Sequence, residues 1–159
     1  MQTFLPYPNI RQSALILDAK IPGLKHSGRA YKQVIEASQI IDILIKKEFG
    51  IKAAWENHPA VKMWEGYLDA LCLYFNTFYE VCCFERKIAK PIKMAARYPI
   101  RKIPAKNGLI PIAKDAIMPP WFGRSDFHAA HRSKLLEKLP EYYSQFNWLE
   151  KPGLPYVWK

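Results

Sequence analysis

Residues 29–49, RAYKQVIEASQIIDILIKKEF, repeat their apolar side chains at helical spacing, and Val34, Ala37, Ile41, Leu44 and Ile45 gather along one side. A stripe sustained over about six turns has to be buried against other elements, and this constrains the fold more than any other feature of the chain. On the same projection Arg29, Lys32, Gln33 and Glu36 fall at i, i+3, i+4 and i+7, so two cations, an amide and a carboxylate share a ridge beside the apolar face. Such a ridge is either a solvated face with weak ion pairs or a site where an acid or base stands among positive charges. The helix alone does not choose between them.

The remaining pattern is also helical. After a cap at Asn57 or His58 and a proline suited to a first turn, Val61, Trp64, Leu68, Leu71, Phe75, Phe78 and Cys82 follow at spacings of three and four, and Tyr67, Tyr74 and Tyr79 widen the apolar surface. This predicts one continuous core helix. A shorter helix is expected from Asn9 to Lys20 and another from about Phe127 to Lys138, capped by Ser125 or Asp126 and anchored by Leu135, Leu136 and Leu139. EYYSQFNWL adds a last helical piece. Pro6 and Pro8 make the start an extended arm packed on the domain, IPGLKHSG a basic link, and PGLPYVWK a tail lying back across the domain. The expected fold is all-α, a compact single-domain helical bundle spanning residues 1–159 with a basic, proline-rich loop.

That loop carries the functional hint in the composition. From Arg86 to Lys114 there are nine Lys or Arg and no Asp or Glu, broken by Pro91, Pro99, Pro104 and Pro111, within a chain of net charge +10. Such a segment suits phosphate tracking, in which cations gain counterion release without reading bases. A polyanion is the expected partner, nucleic acid before an anionic membrane surface. Cys72, Cys82 and Cys83 lack a disulfide framework spacing and read as buried thiols of a reducing compartment. With no apolar run of transmembrane length and no leader pattern, a soluble, cytoplasmic protein is expected.

Phosphate-binding glycine loops, GxSxG, HExxH and the zinc deaminase spacing are all missing. His128 and His131 lie three apart near Asp126, but without a convincing further ligand, so a phosphate-contacting role for His131, Arg132 and Ser133 ranks above metal binding.

The blocks MQTFLPYP, LDAK, KQVIEASQI, NHPAVKMWEGY, PPWFGRSDFHAAHRSKLLEKLPEYY and LPYVWK resemble a bacterial and viral branch of the pyrimidine-dimer DNA glycosylase family, which includes the phage endonuclease V. The resemblance implies a helical domain that flips a nucleotide from duplex DNA and attacks the sugar C1′ with its own α-amine. An imine then allows β-elimination and strand nicking. It further implies a single glutamate that moves protons and stabilises the cationic sugar, and by its position after Asp18 this is Glu36. The α-amine would be that of Met1, because Gln2 is too large for efficient methionine removal; Lys20 or Lys25 are alternative nucleophiles. An α-amine titrates well below a lysine ammonium, and nearby cations such as Arg29 and Lys32 favour its neutral, nucleophilic form.

DNA contact is expected from Arg29, Lys32, Gln33, Asn57, His58, Arg97, Arg101, Lys102, His131 and Arg132. The insertion IPGLKHSGRAY lengthens the approach to Glu36 and bears on which lesion fits. The expected activity is a DNA glycosylase with abasic-site lyase action on a damaged or modified pyrimidine. No metal or organic cofactor, no membrane and no obligate protein partner is expected, and the protein is expected to associate with nucleoid or viral DNA. The alternatives are a non-catalytic DNA-binding module of the same fold, or an RNA-binding or processing protein.

Overall fold

The stripe on residues 29–49 finds its partner in a second long helix. In the computed structural model, which describes residues 2–90, 109–112 and 115–159, the helices are α1 (Ile10–Ile16), α2 (Arg29–Glu48), α3 (Pro59–Trp64), α4 (Leu68–Glu80), α5 (Ser125–Lys138) and α6 (Pro140–Tyr143). A π-helical turn, Val81–Glu85, continues α4, and a 3-10 turn, Ser144–Phe146, follows α6. No strand occurs among the described residues. The fold is all-α.

The principal contact is α2 on α4, with α1 also packed on α4 and α3 against α2. Val34, Ala37, Ile40 and Ile41 of α2 and Leu71, Phe75, Phe78 and Tyr79 of α4 are wholly buried there. Trp64, Trp121 and Phe127 extend this core towards α5, with the Trp64 and Trp121 rings edge to face at 4.9 Å. Fully burying side chains of this size is worth about 1.5–3 kcal/mol each, so the α2–α4 seam and the aromatic layer dominate the cohesion of the fold.

Three boundaries differ from those expected. The core helix predicted from Pro59 to Cys82 is two helices, because Gly66 adopts φ +81 and turns the chain between Trp64 and Leu68. The first helix ends at Ile16, not Lys20, which frees Asp18 to turn inward. The last long helix starts at Ser125 with Arg124 as its cap, and Asp126 lies inside its first turn.

Asp18 holds the start of α2. Its Oδ2 accepts from the Gly28 and Arg29 N–H groups at 2.5 and 3.2 Å, and its Oδ1 from the Arg29 guanidinium at 3.2 Å and the Tyr143 hydroxyl at 2.5 Å. The carboxylate therefore caps a helix whose own cap residue, Gly28, has no side chain to do so. Gly28 sits at φ +102, where an L side chain is strained. At the C-terminal end of α1, Arg86 donates to the carbonyls of Ala14 and Leu17 at 3.1 and 2.7 Å. The first cation of the basic segment is thus a helix C-terminal clamp and not a phosphate ligand. Most of that segment, including Arg97, Arg101 and Lys102, lies outside the described residues.

The tail lies back as expected: Tyr156 packs on Phe4 and His131, and the Lys159 ammonium reaches the Lys62 carbonyl at 3.1 Å. Among the described residues no helix is long and apolar enough to cross a membrane.

Asp18 is fully buried with a buried cationic partner, so removing the carboxylate orphans Arg29, Tyr143 and two helix N–H groups together. Asp18→Ala is expected to lower stability by about 3–5 kcal/mol, measured as a reduced urea midpoint with an unchanged slope.

Candidate active site

The extended arm at the start of the chain has no neighbouring strand among the described residues, yet residues 3–5 are buried. Their backbone groups must be satisfied in some other way, and side chains from α2, α4 and α5 do so. From α2, Gln33 Oε1 accepts from the Phe4 N–H at 2.7 Å, and from α4 the Tyr74 hydroxyl donates to the Phe4 carbonyl at 3.1 Å. The same single hydroxyl proton is shared with Gln33 Oε1 at 2.9 Å, and the two acceptor contacts of that oxygen fix the amide's orientation. From α3, Trp64 Nε1 donates to Thr3 Oγ1 at 3.1 Å.

Helix α5 grips the next peptide from both sides. His131 Nδ1 accepts from the Leu5 N–H at 2.9 Å, while His128 Nδ1 lies 2.7 Å from the Leu5 carbonyl. Because His128 Nε2 accepts from the Gly123 N–H, its Nδ1 carries the proton and donates. Arg132 then donates to the Pro6 carbonyl at 2.7 Å while pairing with Glu150 at 2.5 Å. His131 and Arg132, expected on a DNA-facing surface, are therefore turned inward and hold the arm. His131 is fully buried. Burial, reinforced by His128, lowers its pKa from 6.5 to about 3, so it is neutral. With Nδ1 accepting, Nε2 bears the proton, and it faces the Gln2 side-chain amide at 3.0 Å. That pairing requires the amide to present its oxygen.

The arm so held brings the Gln2 N–H to Glu36 Oε2 at 3.2 Å. Glu36 is 9 % exposed, at the floor of a cavity of about 580 Å³. Its walls include Phe4, His58, Tyr156 and Trp158, and Lys25, Arg29, Lys32 and Lys138 supply cations, with Glu36 the single carboxylate among the described lining residues. The whole ridge Arg29, Lys32, Gln33 and Glu36 thus lines one cavity. Its members differ in what they leave open, however. Arg29 is matched by Asp18 and also donates to the Lys138 carbonyl, and Gln33 is committed to Phe4 and Tyr74. Lys32 is exposed and stands 3.8 Å from Glu36.

His58 caps α3, its Nδ1 accepting from the Ala60 N–H at 3.1 Å, and burial lowers its pKa. Nε2–H is its remaining donor. Asn57, its expected companion, is exposed and does not line the cavity. Met1 lies outside the described residues. Among those described, no group of three His, Cys, Asp or Glu is arranged to hold a metal ion.

A family model described as pyrimidine dimer DNA glycosylase matches residues 1–89, more than half of the chain. The chain belongs to this family. Neither a curated protein nor a solved structure gives a match. The matched residues contain the arm, Glu36, Gln33 and His58, whereas α5, which holds the arm, lies beyond them. Membership of this glycosylase family assigns the chain to DNA repair and DNA to it as substrate.

Sequence reasoning found Glu36 and the ridge but missed Asp18 as a cap, and Tyr74, His128 and Trp64 as holders of the arm. The only signal available was the polar or ring nitrogen-bearing character of residues at helical core positions.

The neutral His131 carries a prediction. Its folded pKa lies below the unfolded value, so its contribution to stability is full above pH 6.5 and is lost as pH falls towards about 3. Across that window stability should drop by about 1.4 kcal/mol per pH unit from this residue alone. His131→Asn, whose oxygen can still accept from Leu5, should flatten the slope by that amount in urea denaturation between pH 7 and 4.5.

Proposed function

We propose that this member of the pyrimidine dimer DNA glycosylase family removes a damaged or modified pyrimidine from duplex DNA and then nicks the abasic site, using the α-amine of Met1 as nucleophile and Glu36 for proton transfer. The observation that carries this reading is the Gln2 N–H on the Glu36 carboxylate. Covalent geometry alone keeps an amine one residue earlier within about 4 Å of the Gln2 nitrogen, so the carboxylate has it within reach. The cavity's size and aromatic walls suit an extruded nucleotide.

The neutral amine attacks C1′ as the glycosidic bond breaks, and the base leaves with the bonding pair and takes up a proton. Glu36 faces the positive charge that develops on the sugar, where a fixed carboxylate is most effective. As the sugar ring opens, loss of the amine's proton gives the imine. Removal of a C2′ proton by the carboxylate then expels the 3′ phosphate oxygen by β-elimination, and water hydrolyses the imine. The cations serve binding: Lys25 and Lys32 are exposed at the cavity and suited to the flanking phosphates. The fold acts as one domain on this reading.

Borohydride trapping on UV-irradiated duplex DNA and on abasic duplex, followed by mass analysis of the linked peptide, is the test. A link through the residue 1 amine on both substrates supports the full reaction, and a link through Lys20 or Lys25 moves the nucleophile. Protein that binds DNA but gives no link defeats the imine chemistry. Glu36→Gln keeps an acceptor for the Gln2 N–H while removing the charge. It should cut single-turnover nicking at least about 100-fold while changing DNA affinity by less than about threefold.

A further inference from the structure

The connection between α2 and α3 places a large aromatic ring in solvent beside the site. Trp55 is 68 % exposed and adopts φ +69, a backbone conformation that L side chains rarely take. The turn around it is well tied. The Ala53 N–H donates to the Glu56 carboxylate at 3.2 Å, and the His58 N–H to the Trp55 carbonyl at 2.9 Å. The main chain is thus fixed while the ring is not packed away. Its one ring contact among the described residues is edge-on to His58, with centroids 5.9 Å apart, and His58 lines the Glu36 cavity.

A second cavity, of about 470 Å³, is bounded by Trp55, Ala53, Gln39, Asp42 and Glu36. Glu36 is common to both cavities. Trp55 is therefore one residue from the nucleotide site on two sides, through His58 and through Glu36. Lys52 is exposed on the same connection and Lys32 at the first cavity, which suits the approach of a polyanion. Strain in an exposed, hydrogen-bonded turn next to a reactive site is a feature that folding alone does not require, and an indole face is a sequence-tolerant platform for a base.

We propose that Trp55 enters the base stack of the duplex and stacks on a nucleobase next to the nucleotide whose sugar reaches Glu36. The inference rests on the glycosylase reading above and names a specificity-determining residue for it. The ring replaces stacking lost when a nucleotide leaves the helix, so its contribution is confined to duplex substrates.

Wild type, Trp55→Gly and Trp55→Phe would be compared on a dimer-containing duplex, an abasic duplex and a single-stranded abasic oligonucleotide. Glycine accepts the positive φ, so Trp55→Gly should melt no lower than wild type. It should lower duplex cleavage roughly ten- to a hundredfold more than single-strand trapping, and Trp55→Phe should recover most of the difference. Equal losses on single and double strands, or no loss on duplexes, overturn the proposal. Anisotropy binding to abasic and intact duplexes separates the two readings. A wild type that neither cleaves nor traps defeats the glycosylase reading, and Trp55 is then judged by binding. Loss of the preference for abasic over intact duplex in Trp55→Gly upholds its role, and retention of that preference overturns it.

Discussion

The structure depends on an extended segment whose main chain is hydrogen-bonded by side chains. Residues 4–6 run through the interior with no strand beside them among the described residues, and Gln33, Tyr74, His128, His131 and Arg132 supply the partners, while Trp64 ties the Thr3 hydroxyl. Each buried peptide group left without a partner costs about 1–3 kcal/mol, so the arm is stable only where these side chains already stand. They come from α2, α4 and α5, so the correct packing of these helices is the condition for placing the arm. The α2–α4 seam therefore does more than exclude water. It sets Gln33 and Tyr74 in register with each other, and their shared hydrogen bond fixes where Phe4 sits.

Periodicity made part of this legible. The α2 helix was readable almost to the residue, because its apolar stripe and its flanking glycines agree. Glu36 was readable as a carboxylate among cations on one ridge. The break at Gly66 was not, because Trp64 and Leu68 keep a spacing of four on either side of it and the pattern runs on through the turn. Buried polar residues were the least legible. Gln33 and His131 look in sequence like surface residues, and their partners are backbone atoms 29 and 126 positions away. Arg86 misleads for the same reason: its charge belongs in composition to the basic run, and in space to the end of α1.

The cations around Glu36 also divide by partner. Arg29 enters the cavity wall already neutralised by Asp18, so its positive charge anchors the first turn of α2 and adds little to the field at the carboxylate. Lys32, one turn on, is exposed and 3.8 Å from Glu36. A solvated ion pair of this kind is weak, and a phosphate can take over the lysine at little cost. On the proposed chemistry that exchange releases the carboxylate for the sugar as DNA arrives, so substrate binding and arming of the site become one event.

Burial along the arm follows the same division. Thr3, Phe4 and Leu5 are enclosed, whereas Gln2 is only partly covered. A nucleophile that attacks a sugar within a macromolecule cannot itself be enclosed, because the sugar must come to it. Nor can it hang on an unrestrained end, since a displacement of about 1 Å is costly in rate. On the proposed chemistry the arm meets both demands, with Thr3 enclosed and the partly covered Gln2 tied to Glu36 through its N–H and to His131 through its side chain. One is the group proposed to move protons and the other is a histidine that burial keeps neutral. A charged imidazolium there would lose the acceptor that holds Leu5. The same burial that makes His131 unavailable to DNA is therefore what suits it to setting the position of the chain's first residues.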